Sequence, residues 1–82
     1  MANPIKKYSY DPEADAIYIT LSDSAVAYTK SLDDSRLIDY DTNHKPVGVE
    51  LLCVSHGVTT DNLPFENEIT KLLEDKHVKI YA

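Results

Sequence analysis

The sequence predicts a small α+β domain, in which an antiparallel β-meander of four to six strands carries one C-terminal α-helix packed on one face. Two observations predict this fold. Up to residue 52, apolar residues recur at every second position, which is the period of a half-buried strand. From residue 65 onward the apolar spacing is that of an amphipathic helix. With 82 residues, the chain is expected to form a single domain spanning 1–82.

A repeated dipeptide marks the expected turns. Tyr10-Asp11 and Tyr40-Asp41 each end a short apolar run and precede a polar stretch that contains Pro. Asp and Pro favour turns because the carboxylate accepts hydrogen bonds from nearby N–H groups and the Pro ring fixes φ. The repeat therefore predicts two successive hairpins.

Five segments alternate in the manner of strands and form the predicted meander at residues 5–54. They lie at residues 5–10, 16–21, 25–32, 37–40 and 47–52. The second is the clearest, because Ile17 and Ile19 share one face and the intervening residue points to the other. The same period places Tyr8 and Tyr10 together on the first strand.

The third and fifth strands have their own features. The third alternates larger side chains with small ones, at Val26, Tyr28, Lys30 and Leu32. The fifth directs Val47, Val49 and Leu51 to one face, and Gly48 interrupts the opposite face. A glycine inside a strand commonly marks a bulge or the close approach of another backbone or ring.

One helix is predicted over residues 61–76. Its apolar stripe is expected to pack on the sheet and consists of Phe65, Ile69, Leu72 and Leu73. Asp61 and Asn62 offer capping oxygens, and Pro64 suits the first turn. Glu66 and Glu68 complement the positive end of the helix dipole.

The last residues alternate again. Residues 78–81 predict a short strand that docks on a sheet edge.

Composition limits the classes of function. The formal net charge of −6 disfavours nucleic acid as a direct ligand, because binding to phosphates depends on clustered Lys and Arg. Acidity instead favours encounter with a basic protein. The single cysteine, Cys53, excludes an intramolecular disulfide and fits a reducing compartment, so a cytoplasmic location is expected. Neither a signal peptide nor a membrane span is expected, because no apolar run approaches about 20 residues.

The segment 39–50 fits the spacing of a calcium-binding loop at every position but one. His44 stands where that loop requires Gly, and Pro46 removes a backbone donor near its middle. The flanks are strand-like, whereas an EF-hand needs helices on both sides. We therefore expect a hairpin with solvated carboxylates rather than a calcium site.

Two other groups of side chains are candidates for chemistry. The carboxylates are those of Asp11, Asp15, Asp39, Asp41 and Glu50, with Glu13 nearby, and a metal or acid-base site would need them to converge. The simpler expectation is that Asp11 and Asp15 cap a turn and that Asp39 and Glu50 line an exposed sheet face.

Cys53, Ser55 and His56 form the second group, but no orienting third residue or second Cys-His pair accompanies them. Cys53 is expected to act as a small core residue. We expect no catalytic residue, metal or cofactor, and a small enzyme or metal-binding protein built on either group is the alternative.

Tyrosine is the most prominent aromatic residue of the predicted strands. The five in question are Tyr8, Tyr10, Tyr18, Tyr28 and Tyr40. Because Tyr combines a large apolar body with a polar tip, these residues form a candidate interaction surface. The simpler interpretation is a sheet face covered by rings.

Three ordered blocks resemble a known family. Residues 10–19 (YDPEADAIYI), 38–41 (IDYD) and 47–52 (VGVELL) are similar to the short prokaryotic proteins of domain-of-unknown-function family 2283. The likeness covers residues 6–54, and His44 departs from the Gly that family members often carry in that turn. The family implies no established activity. Some members are encoded beside small toxin-like proteins, which implies an antitoxin-like or other partner-binding role by analogy.

We therefore expect a cytoplasmic, non-enzymatic protein-interaction module whose partner is a small basic protein. A homodimer is also expected, because the core is small and the edges of an open sheet must be paired or covered. The alternative is a monomer with edges protected by Lys7, Lys30 and Lys79.

Overall fold

The computed structural model of the protein describes residues 4–81. Within them, five strands, a short 3-10 helix and one α-helix follow one another. They are β1 (Lys7–Asp11), β2 (Ala16–Thr20), β3 (Tyr28–Asp33), β4 (Arg36–Tyr40), β5 (Pro46–Leu52), the 3-10 helix Val54–His56 and α1 (Glu66–Asp75). The predicted α+β fold, an antiparallel sheet with one C-terminal helix, is confirmed.

The sheet has the strand order β1-β2-β5-β4-β3. β1 and β2 form one hairpin, and β3, β4 and β5 pair consecutively with one another. The two units join where β2 pairs with β5, so the chain crosses from the middle of the sheet to its far edge between β2 and β3. β5 is therefore central, and β1 and β3 are the edges.

Both Tyr-Asp repeats form turns by the expected mechanism. The Asp11 Oδ1 atom accepts hydrogen bonds from the N–H groups two and three residues ahead, at 3.1 and 3.3 Å. The Asp41 Oδ1 atom accepts from those two and four residues ahead, at 2.8 and 3.0 Å. Asp41 is buried and Asp11 is exposed, so the bonds of Asp41 are less open to competition from water.

His44 shows why the second turn favours glycine. Its φ is 64°, in the left-handed region that costs a side chain about 1–2 kcal/mol. The imidazole compensates locally, since its Nδ1 atom lies 2.8 Å from the Tyr28 hydroxyl. The Tyr28 ring in turn stacks on Tyr40, with ring centroids 5.1 Å apart.

The core lies between the sheet and the helical part of the chain. Its buried members are Ile17, Ile19, Leu21, Ile38, Val49, Leu51, Val54, Val58, Leu63, Ile69 and Leu73. From α1, Ile69 and Leu73 are fully buried and Leu72 packs against the cluster. Complete burial of such side chains stabilises the fold by about 1.5–3 kcal/mol each.

The start of the helix differs from the prediction. α1 begins at Glu66, and Phe65 occupies the N-cap position with φ 54°. Asn62, at φ 66°, also has a left-handed backbone, so the chain turns sharply before the helix. Phe65 is consequently 46% exposed instead of continuing the apolar stripe, and Pro64 precedes the helix. Glu66 and Glu68 lie in the first turn as predicted.

The predicted capping oxygens are also absent from the helix start. Within residues 4–81, the side chains of Asp61 and Asn62 accept no hydrogen bond from the first N–H groups of α1. Phe65, whose backbone is left-handed, lies between these residues and Glu66, the first residue of the helix.

Cys53 is exposed, which corrects the expectation of a core position. Strand alternation would have buried it beside Leu51, but its φ of 53° breaks the alternation. Val54 takes the buried position instead, at 6% exposure.

The last segment does not join the sheet. Ile80 forms an isolated parallel bridge with Val58, in the loop that follows the 3-10 helix. The Tyr81 hydroxyl donates to the His56 carbonyl. Lys79 is therefore not part of a sheet strand, whereas Lys7 and Lys30 lie on the two edge strands.

Arg36 holds the loop before α1 against the sheet. The side chain is buried, and its Nε donates to Asp33 Oδ2 at 2.9 Å. Its Nη1 donates to the Thr59 carbonyl at 3.2 Å and to the Asp61 carbonyl at 2.5 Å. The guanidinium thus satisfies two backbone acceptors of a loop that lacks regular structure.

Candidate functional site

The sheet has a second face, directed away from α1, which we call the open face. Cross-strand pairing assigns to it Lys7, Ser9, Asp11, Ala16, Tyr18, Thr20, Thr29, Ser31, Leu37, Asp39, Gly48, Glu50 and Leu52. Apart from Gly48, these residues are partly or fully exposed, whereas Ile17, Ile19 and Val49 behind them are buried. The face is therefore accessible over most of the sheet.

Tyr18 lies across the middle of the open face. A Cβ atom on Gly48, in the neighbouring strand, would come within 1.9 Å of the Tyr18 hydroxyl oxygen and 2.5 Å of its ring. The absence of a side chain at Gly48 is thus what allows the ring to lie flat against the sheet. The sequence prediction of a close approach at this glycine is confirmed.

The Tyr18 ring reaches over Gly48 to Asp39 on β4. The Tyr18 hydroxyl donates to Asp39 Oδ2 at 2.6 Å, and the Thr29 hydroxyl donates to Asp39 Oδ1 at 2.5 Å. Side chains from three strands, β2, β4 and β3, are thereby joined. Asp39 accepts a short, charge-assisted bond at each oxygen, which fixes its orientation.

Glu50 supplies a second carboxylate beside the same ring. Glu50 lies on β5 between two cross-strand partners, Tyr18 on β2 and Leu37 on β4. Within residues 4–81 its carboxylate has no hydrogen bond or ion pair. Two carboxylates therefore flank one phenol at the centre of the face, and one of them has unused acceptor capacity.

The electrostatics of the site are visible at Tyr18. Partial burial raises the pKa of its phenol above the usual range, and the hydrogen bond to Asp39 and the negative charges of Asp39 and Glu50 raise it further. Each effect disfavours the phenolate. Tyr18 therefore stays a hydrogen-bond donor, and the centre of the face carries the negative charge of its carboxylates.

This shift predicts a loss of stability in alkali. The folded-state pKa of Tyr18 lies above its ordinary value of about 10, so its contribution is present below that pH and is lost as the pH rises beyond it. The denaturation midpoint of the native protein should drop when the pH is raised from neutral to above about 10. This drop should be smaller in Tyr18→Phe. Tyr10→Phe, at an exposed ring, is the control, and equal behaviour of the two variants would contradict the assignment.

The five tyrosines do not form one surface. Tyr18 lies on the open face, and Tyr8 and Tyr10 lie on the helix side of β1, opposite Ile19 and Ile17. Tyr28 and Tyr40 stack together at the other end of the sheet order. The prediction that Tyr8 and Tyr10 share a face is confirmed, whereas a single tyrosine surface is not what the fold builds.

The candidate carboxylates are also separated. Asp11 and Asp41 bind the N–H groups of two different turns, and Asp39 and Glu50 lie on the open face. Asp15 accepts hydrogen bonds from the Ser55 N–H at 2.9 Å and hydroxyl at 2.7 Å, so it joins the first hairpin to the 3-10 helix. Within residues 4–81, no three His, Cys, Asp or Glu side chains are grouped to hold a metal ion.

The second group of candidates, Cys53, Ser55 and His56, lies at the 3-10 helix and its start. Ser55 bonds to Asp15 and not to a histidine, and Cys53 and His56 are both exposed at the 3-10 helix.

The segment 39–50, which resembled a calcium-binding loop in its spacing, is a strand-turn-strand unit in which Asp41 is committed to backbone N–H groups.

Two residues that contribute to the site and the fold, Thr29 and Arg36, were not predicted from the sequence. Thr29 completes the hydrogen bonds of Asp39, because the register of the β3–β4 hairpin places these two residues directly opposite each other. Arg36, the only arginine of the chain, could have been found from alternation, which places it on the same side as Ile38. A charged residue at such a position requires buried partners.

The fold and the site define a small α+β domain with an open sheet face whose centre is acidic. The model of the family described as protein of unknown function (DUF2283) matches residues 7–55, more than half of the chain, and the chain belongs to this family. The match covers the whole sheet and ends before α1. Neither the search of curated proteins nor the search of solved structures finds a match. No helix in residues 4–81 is long and apolar enough to cross a membrane.

Proposed function

We propose that this protein is a cytoplasmic, non-enzymatic interaction module that binds a basic segment of another protein on its open face. The observation that supports this most directly is the presence of two carboxylates beside Tyr18, since Asp39 accepts the hydrogen bond of its phenol and Glu50 is its cross-strand partner. An arginine side chain can meet both needs of such a site, because its guanidinium stacks on aromatic rings and pairs with carboxylates.

The remainder of the face suits the same partner. Around the acidic centre lie hydroxyl groups, at Ser9, Thr20 and Ser31, that can accept or donate hydrogen bonds. Its positively charged residue, Lys7, is on the edge strand β1. The net charge of −6 adds a long-range field that accelerates encounter with a basic protein.

The proposal predicts a charge-dependent interaction centred on Glu50. In a nuclear magnetic resonance titration, an oligo-arginine peptide should shift the backbone signals of Tyr18, Asp39 and Glu50, whereas an oligo-glutamate peptide should not. Glu50→Lys should weaken binding by about ten-fold or more. Glu68→Lys on α1 makes the same change of net charge and should weaken it far less.

Shifts confined to α1, or equal losses of affinity in the two variants, would contradict a site on the open face.

The more specific form of the proposal is antitoxin-like neutralisation of a small basic toxin. Co-expression with a small basic protein from a neighbouring gene tests it: where that protein arrests growth, the native chain should restore growth and Glu50→Lys should not.

We also propose a homodimer that forms by antiparallel pairing of two copies of β3. All six residues of this edge strand are exposed, it contains no Pro, and its outer backbone groups are available for another strand. Exposed Leu32 adds apolar area to the same edge.

Sedimentation equilibrium at micromolar concentration should give twice the mass of the 9.2 kDa chain. Thr29→Pro would disturb the Asp39 site, so Ser31→Pro is the preferred variant, and it should sediment as a folded 9.2 kDa monomer. A native protein that sediments as a single 9.2 kDa species would refute the dimer.

A further inference from the structure

A groove on the helix side of the sheet has the opposite chemistry to the open face. It runs between β1 and the residues that follow α1, and it encloses about 270 Å³. It is lined by Tyr8 and Tyr10 of β1, by Val54 and Ser55 of the 3-10 helix, and by residues 76–79, which include Lys76 and Lys79. We call it the tyrosine groove.

The tyrosine groove contains hydrogen-bond donors that the described part of the protein does not use. Within residues 4–81, no hydrogen bond or ion pair involves the hydroxyls of Tyr8 and Tyr10 or the ammonium group of Lys76. Lys76 Nζ lies 5.2 Å from the centre of the Tyr8 ring, so its positive charge is held over that ring. The Tyr8 pKa is raised, first by burial and then by Tyr10, which keeps its hydroxyl protonated as a donor.

Unused donors around apolar walls define the chemistry of a ligand. An anionic oxygen can accept from both hydroxyls and from the ammonium group, and charge-assisted bonds of this kind are the stronger ones. A flat apolar body can rest on the tyrosine rings. The volume lies just below the range of about 300–1,000 Å³ of sites that hold drug-sized ligands, so the ligand must be small.

A second groove of similar volume makes the contrast clear. It is lined by Arg36 and Tyr81, but Arg36 Nε is already committed to Asp33 and Nη1 to two loop carbonyls. Asp33 and Asp34 also line it and would repel an anion. Among the described residues, no Asp or Glu lines the tyrosine groove, and Asp15, which contacts its lining residue Ser55, already accepts two hydrogen bonds from Ser55.

We propose that the tyrosine groove binds a small aromatic carboxylate, with the carboxylate on Lys76 and the tyrosine hydroxyls and the ring on the tyrosine faces. The site is separate from the open face, because Tyr8 and Tyr10 lie on the helix side of the sheet and Tyr18 lies on the other. Occupation of the groove adds a ligand-binding function to a domain whose open face meets a protein.

Titration of the full chain with 2-naphthoate, followed by nuclear magnetic resonance, tests the proposal. Saturable shifts are expected at Tyr8, Ser55 and Lys76. The neutral 2-naphthamide has the same rings and acetate has the same charge, and each should bind at least about ten-fold more weakly than 2-naphthoate.

Lys76→Gln should weaken 2-naphthoate about ten-fold or more, and Lys71→Gln, on the exposed side of α1, should leave its affinity unchanged. Tyr8→Phe keeps the ring and removes one donor, so it should weaken 2-naphthoate but not 2-naphthamide. Thermal melting verifies that each variant is folded. No saturable shift at millimolar concentration, shifts outside the groove, or equal affinity in the two lysine variants would overturn the proposal.

Discussion

Ile19→Asp is expected to unfold the domain. Ile19 is fully buried on the central strand pair, where it lies between Tyr8 on β1 and Val49 on β5. A carboxylate at this position has no buried partner, and burying an unpaired charge costs several kcal/mol. Domains are stable by only about 5–15 kcal/mol, and a chain of this size lies toward the lower end. Circular dichroism and amide signal dispersion should both report a largely unfolded chain.

The control uses the same new charge on the opposite face. Ser9→Asp is on β1, adjacent to Tyr18, and is exposed, so it should change stability by no more than about 0.5 kcal/mol. A folded Ile19→Asp variant with native signal dispersion would mean that the faces of the sheet have been assigned the wrong way round.

Local patterns in the sequence predict much of this fold. Alternation in the segment 16–21 identifies the buried Ile17 and Ile19, because a sheet with one covered face imposes a period of two. The two Tyr-Asp dipeptides predict turns, because an Asp carboxylate accepts N–H bonds from residues close to it in sequence. Both signals depend only on interactions within a few residues.

What the sequence did not reveal depends on distant contacts or on unusual backbone. Cys53 and Phe65 have positive φ without being Gly, so neither alternation nor helical spacing predicts the exposure of their side chains. The non-consecutive pairing of β2 with β5 is equally hidden, because no local rule selects it. The site on the open face depends on that pairing, which brings Tyr18 beside Gly48.

Gly48→Ala is expected to destabilise the protein by about 1–3 kcal/mol, through an effect on Tyr18. The new methyl group would lie 1.9 Å from the Tyr18 hydroxyl oxygen, so the ring must leave the sheet. The hydrogen bond from Tyr18 to Asp39 is then broken, and the ring no longer shields the backbone at residue 48 from solvent. The midpoint of urea denaturation measures the loss.

The sign of the same substitution should change once the ring is absent. In a Tyr18→Ala background, Gly48→Ala meets no obstacle and replaces a flexible residue inside a strand, which should be neutral or stabilise by about 0.5–1 kcal/mol. The double-mutant cycle therefore predicts a coupling energy above about 1 kcal/mol between two residues that are adjacent only because β2 pairs with β5. Equal costs of Gly48→Ala in the two backgrounds would show that the ring does not lie over the glycine, and the acidic site beside it would lose its geometric basis.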